Sequence, residues 1–172
     1  MSQWKLVVHW TAGPYTMTSL DYEHYHFTVG RDGEIAHGKF KPEDNIPGPH
    51  GLQSGHYAAH CGNGNSWAIG VSLRGMGGYR GRSSIGKYPL TQKQCEAAWQ
   101  FIAGLCKQYK IEVTPDTVET HYEFGMKMKK INPKSSSIGK IDINFLPFKP
   151  ELKDHEVGDY IRNKVKWYLG KL

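Results

Sequence analysis

Long apolar runs are missing from this chain. None approaches the roughly 20 residues that a bilayer-spanning helix needs, which excludes an integral helical membrane protein. The opening Met1-Ser2-Gln3-Trp4-Lys5 lacks the charged head and apolar core of a secretory leader, so synthesis in the cytoplasm is expected. Cysteine is scarce, with 3 in 172 residues, and no C-x-x-C pair is present to build a thiolate metal site. Cys95 and Cys106 fall on one expected helix, roughly 16 Å apart along its axis, too far to bridge. All three cysteines are read as reduced thiols. Acidic charge is also short: 22 Lys and Arg face 16 Asp and Glu, a net charge of +6. That balance points to an anionic partner (nucleic acid, acidic lipid or a cell-wall polymer) without choosing among them. No internal repeat and no break in composition marks a second domain.

What is present is a series of short segments that alternate between strand and helix patterns. Leu6-Val7-Val8 is a buried-strand run that ends in His9 and stops at Gly13-Pro14. His9 therefore sits at the carboxyl end of a core strand, where open α/β sheets place ligands. Taken alone, it is a metal ligand, an acid/base group or a core histidine satisfied by a carbonyl. The polar stretch 15–23 holds one short helix capped by Thr18 or Ser19. Strands over 25–30 and 34–37 are joined by a two-residue Asp32-Gly33 turn. Along the first of them Tyr25, Phe27 and Val29 share one face, with His26 and Thr28 on the other.

Residues 39–64 form a long aperiodic loop of the kind that lines sites, with His50 and His56 read as solvated. Ala68 to Leu73 is a third core strand, and 75–87 is Gly/Arg/Ser-rich and expected to be mobile. Thr91 with Gln94 makes a capping box for a helix to Lys110, whose stripe of Cys95, Ala98, Trp99, Ile102, Leu105, Cys106 and Tyr109 is core. Pro115-Asp116 opens a short segment ending at Glu119-Thr120-His121-Tyr122. Residues 126–139, with Lys127, Lys129, Lys130, Lys134 and three serines, read as a basic loop, either a solvated excursion or a rim for an anion. The amphipathic tail 154–172 reads as a packed terminal helix with a wet basic face rather than a helix lying on a membrane.

An ordered set of these segments resembles a known family. Val7-Val8-His9-Trp10-Thr11-Ala12-Gly13 is similar to its opening motif, and Tyr25-His26-Phe27 with Asp32-Gly33 to its second strand and hairpin. His60 with Asn65 and Ile69-Gly70-Val71-Ser72-Leu73 resembles its third. His121 and Lys140-Ile141-Asp142 resemble its closing ligands. The family is the zinc-dependent type 2 N-acetylmuramoyl-L-alanine amidases, which includes phage endolysins and peptidoglycan-recognition proteins. The likeness runs from about Trp4 to Asp142.

The resemblance implies an α/β fold: a single domain with a mixed central β-sheet flanked by helices and a zinc site at the strand ends in an open groove. It implies that His9, His121 and Asp142 hold Zn²⁺. Two imidazoles and a carboxylate leave a fourth tetrahedral position open, as catalytic zinc requires. Glu123 is the nearest substitute carboxylate should Asp142 not serve. Some relatives carry a glutamate where this chain has Ser72. The endolysin branch instead has a tyrosine before its His-Phe pair and a lysine two residues before its last ligand, matching Tyr25 and Lys140. Tyr25 is thus expected to orient or deprotonate the attacking water, and Lys140 to donate to the oxyanion. His60 and Asn65 are expected to line the substrate groove, and His26 to be structural.

The implied activity is hydrolysis of the amide joining N-acetylmuramic acid to L-alanine in peptidoglycan, by a monomeric phage-type endolysin that reaches the wall after release from the host cytoplasm. The rival readings are a non-catalytic peptidoglycan-binding module of the same fold, an antibacterial amidase toxin, and a nucleic-acid binder supported by charge alone.

Overall fold

The computed structural model describes residues 2–172. Its central rib is β1 (Lys5–Trp10), in which Leu6, Val7 and Val8 are fully buried. Both edges of β1 are occupied in parallel, by β4 (Ala68–Leu73) on one side and β5 (Val118–Thr120) on the other. Beyond β4 lie β2 (Phe27–Val29), parallel to it, and β3 (Ile35–His37), antiparallel to β2. The sheet order is β3-β2-β4-β1-β5, a mixed five-stranded sheet, as expected. The β2–β3 connection is one residue longer than a two-residue turn. The Gly30 amide donates to the Glu34 carbonyl across Arg31–Gly33, and Gly33 takes φ +94°, the left-handed position that glycine enters without cost.

Strand alternation divides the buried residues between two unequal faces. Leu6, Val8 and Trp10 of β1 join Ile69, Val71 and Leu73 of β4 in the main core, together with Trp99 and Ile102 of α2 (Gln92–Tyr109) and Ile161 and Val165 of α4 (Val157–Leu169). The opposite face carries Val7 and Ala68, which pack with Cys61, Phe124 and Met128 in a much smaller cluster. His9 and Ser72 stand on that second face in register with each other. The apolar core therefore fixes the sheet from one side and leaves polar chemistry for the other.

The helices begin where their caps place them. Thr18 caps α1 (Ser19–His24) through the Asp21 amide, and Thr91 with Gln94 closes the capping box of α2. Gln94 is buried, and its amide nitrogen donates to the carbonyls of Val29 and Arg74, tying the helix start to two strand ends. The tail forms α4 and packs on α2, as the amphipathic pattern predicts. Cys61, Cys95 and Cys106 are free and buried, and burial raises the Cys106 thiol to about 12.

Two expectations are corrected. The basic segment from Met126 is not loop throughout: α3 runs His121–Ile131. Thr120 and Glu123 form a capping box that nucleates it, and Phe124 and Met128, one turn apart, bury its inner face; Lys129 and Lys130 stay exposed, while Lys127 pairs with buried Glu119. The glycine-rich stretch 75–87 is tied down rather than free. Arg82 donates to the carbonyls of Pro150, Leu152 and Asn144, pairs with Asp154 and lies over the Phe145 ring.

A partly buried ion pair joins α4 to α3. Arg162 binds both oxygens of Glu123 at 2.8 Å and also donates to the Val118 carbonyl. A Cβ on Gly158 would stand 2.2 Å from the Glu123 carboxylate, so only glycine lets the two helices meet. Removing the guanidinium leaves Glu123 without its cation. Arg162→Ala is expected to destabilise the fold by about 3 kcal/mol, against about 0.5 kcal/mol or less for exposed Lys166→Ala, measured by urea denaturation.

Candidate metal centre

Three side chains from distant parts of the chain converge on the second sheet face. His9 comes from the end of β1 and His121 from the first turn of α3. Asp142 follows the 132–141 loop and is held by its own carbonyl, which accepts from the Tyr122 amide at 2.6 Å. All three are buried, and their ligand atoms lie within 4.8 Å of one another. Asp142 Oδ2 is 2.8 Å from His9 Nδ1 and 3.4 Å from His121 Nδ1. The sheet brings His9 and His121 together because β1 and β5 run parallel and both residues follow from their carboxyl ends.

The hydrogen bonds behind the two imidazoles fix their tautomers. His60 Nε2 is 3.0 Å from the Ala68 carbonyl, an acceptor only, so that nitrogen carries the proton. Burial holds His60 well below its ordinary pKa, so the ring is neutral and its Nδ1 is a bare acceptor. His9 Nε2, 2.9 Å away, must then donate, and burial lowers His9 as well, leaving its Nδ1 bare. On the other side the Ser137 hydroxyl donates to the Gly62 carbonyl at 2.7 Å. It therefore accepts from His121 Nε2 at 3.1 Å, which turns the His121 Nδ1 lone pair inward.

Two nitrogen lone pairs thus face a carboxylate oxygen across short distances. Burial raises Asp142, but the two imidazoles outweigh it and hold the carboxyl below its ordinary value. Such a cluster requires a positive charge at its centre, either a proton or a cation. Without a metal the proton falls to His121: burial lowers it, yet Asp142 and the neighbouring Cys61 hold the imidazole up at about 9. Two imidazoles and one carboxylate, oriented by outer partners, are a donor set that suits zinc with a position left open. The substitute carboxylate, Glu123, is engaged with Arg162 and turned away from the cluster.

A groove of about 740 Å³ opens over the cluster, and Tyr25, His60, Asn65, Lys140, His121 and Asp142 all contribute to its lining. The Tyr25 ring centroid is 5.2 Å from that of His9. Burial, with Asp142 adding to it, pushes the Tyr25 phenol well above its ordinary value, so the hydroxyl keeps its proton. Lys140 is exposed on the rim. His60 faces the groove only in part, since both ring nitrogens are committed behind His9. Asn65 turns its Oδ1 to the amides of His60 and Cys61, which shapes the turn that carries His60.

His26 is structural, as expected. It donates to Asn45 and accepts from the Gly70 amide, and burial lowers it to about 4. Ser72 lies opposite His9 with its hydroxyl buried and without a hydrogen-bond partner.

Ser137 and Gly70 could not be singled out from the sequence. Ser137 is one of three consecutive serines, distinguished only by where the loop folds. Gly70 is the floor for His60: a Cβ there would approach the ring within 2.6 Å.

An α/β sheet bearing a buried His-His-Asp cluster in an open groove is a centre that could hold a metal ion. The sequence profile described as N-acetylmuramoyl-L-alanine amidase matches residues 3–135, and the chain belongs to that family. Lys140 and Asp142 lie beyond the matched residues. Among solved structures, a variant of PlyL is 16% identical, with a TM-score of 0.50 over 96% of this chain and 86% of that one. The Ph2119 endolysin from a Thermus scotoductus MAT2119 bacteriophage is 16% identical over 81% of this chain and 87% of that one, with a TM-score of 0.45. The N-acetylmuramoyl-L-alanine amidase LysC from Clostridium intestinale URNW is 18% identical over 74% and 83%, also with a TM-score of 0.45. No curated protein matches the chain significantly.

Two outcomes are expected for metal binding. His60→Ala and Ser137→Ala should each weaken zinc binding about 10- to 100-fold, read by competition with a chromogenic chelator. Because His121 is protonated below about 9 in the metal-free cluster, zinc binding at pH 7 should release about one proton. The affinity should then fall as pH falls, which calorimetry in buffers of different ionisation enthalpy measures.

Proposed function

We propose that the protein is a zinc-dependent amidase that hydrolyses the amide between the lactyl group of N-acetylmuramic acid and L-alanine in peptidoglycan. The observation that carries this reading is the convergence of His9, His121 and Asp142, all buried, with ligand atoms within 4.8 Å of one another. They are the residues that would hold the metal. A zinc ion there would supply Lewis acidity, lowering the pKa of water toward about 7 and polarising a carbonyl.

The chain's own groups supply the rest. Tyr25 keeps its proton, so its hydroxyl orients the attacking water rather than deprotonating it. Lys140, two residues before Asp142 on the rim, brings positive charge to the oxyanion that develops as the carbonyl is attacked. Ser72 has no acid/base capacity at the position where some relatives carry glutamate. The Tyr25 and Lys140 pair is instead the pattern of the phage-endolysin branch, and it supports a lytic role at the host cell wall. The net charge of +6 suits an anionic wall as a partner.

The reaction is tested by digesting purified peptidoglycan with and without a chelator and reading the products by mass spectrometry. Intact glycan strands and stem peptides with free N-terminal alanine are expected, abolished by the chelator and restored by zinc. Retained polymer binding without cleavage would replace the amidase with a recognition module, and new reducing ends would mean a glycosidase. Lys140→Ala should keep its zinc and lose roughly 100-fold in turnover, equivalent to about 3 kcal/mol of transition-state stabilisation. Near-normal turnover would remove Lys140 from that role.

A further inference from the structure

An aromatic stack borders the groove, and neither the metal cluster nor the proton-handling residues use it. Tyr79 lines the groove and is partly buried. Its ring lies nearly flat on that of Phe145, with centroids 5.7 Å apart and planes inclined by 16°. The Trp10 ring meets it edge-on at 5.3 Å. Trp10 directly follows His9, and Phe145 is three residues after Asp142, so the stack is built on the segments that carry two of the three cluster residues. The Arg82 guanidinium lies 4.8 Å from the Phe145 centroid and is itself fixed by three carbonyls and Asp154. Tyr79 is anchored in turn by its amide, which donates to the Met76 carbonyl at 3.1 Å. The result is a rigid aromatic surface at the groove wall, braced from behind and adjoining the cluster.

We propose that Tyr79 is the platform on which the sugar ring of the substrate packs, and so a specificity-determining residue for the glycan side of the bond. This rests on the amidase reading above. The acyl side of the scissile amide is a lactyl ether, so the pyranose ring lies only a few bonds from the carbonyl under attack. It must therefore sit beside the metal cluster. The C–H face of a pyranose is apolar and flat enough to gain dispersion contact with an aromatic ring held in one orientation. A pre-formed ring loses little conformational freedom on binding.

The test compares Tyr79→Ala with Tyr79→Phe, each loaded with zinc and checked for an unchanged zinc affinity and melting temperature. The ligands are an N-acetylmuramoyl peptide and the same stem peptide carrying an N-acetyl group in place of the sugar. Tyr79→Ala is expected to raise KM for the muramoyl peptide about tenfold with kcat changed by less than about twofold. Binding of the sugar-free peptide, measured by calorimetry, should be unaffected. Tyr79→Phe keeps the ring and should restore most of the lost affinity. Equal weakening of both ligands, or no weakening of either, would overturn the platform while leaving the amidase intact. If the wild-type protein neither cleaves nor binds the muramoyl peptide, the amidase reading falls and the platform with it.

Discussion

Two imidazole nitrogens and a carboxylate oxygen, all buried, cannot face one another without a proton or a cation between them. That constraint organises the second face of the sheet. It explains why His60 and Ser137, neither of which reaches the centre of the cluster, are both buried and fully hydrogen-bonded. Each uses a carbonyl as the terminal acceptor, Ala68 for one and Gly62 for the other, and so each transmits a fixed proton position to the imidazole in front of it. An imidazole behind His9, rather than a carboxylate, holds the tautomer without adding a second buried negative charge.

The same constraint requires a scaffold that does not yield. Nearly all of the large apolar side chains lie on the other face, against α2 and α4, where burial drives folding. The site face is paved with small residues, Ala68, Gly70 and Ser72 on β4, which let His60 and His9 lie close to the sheet. His121 is placed by the start of α3, and that start is held through Thr120 and Glu123 to Arg162 of the last helix. The carboxyl-terminal helix, far from the groove in sequence and outside the family match, is thus part of the support for a cluster residue.

The groove built over this cluster has a mixed lining. Tyr25 and Lys140 contribute polar groups, and Trp10 and Tyr79 contribute aromatic surface, with Phe145 stacked against Tyr79.

Several features were legible in the sequence because they are set by nearest neighbours. The capping box at Thr91, the apolar run of β1 and the amphipathic stripes of α2 and α4 all follow from local periodicity and hydrogen-bonding capacity. The order of His9, His121 and Asp142 along a family-like pattern sufficed to nominate the cluster. The helix over 126–131 escaped notice because its lysines outweigh, in a linear reading, the two buried contacts of Phe124 and Met128. Only the tertiary structure decided the proton positions in the cluster, the retreat of His60 behind His9, the role of Ser137 among three serines and the tethering of the Arg82 loop. Each depends on partners that no local pattern encodes, from Gly62 for Ser137, 75 residues away, to Asn144 for Arg82, 62 residues away.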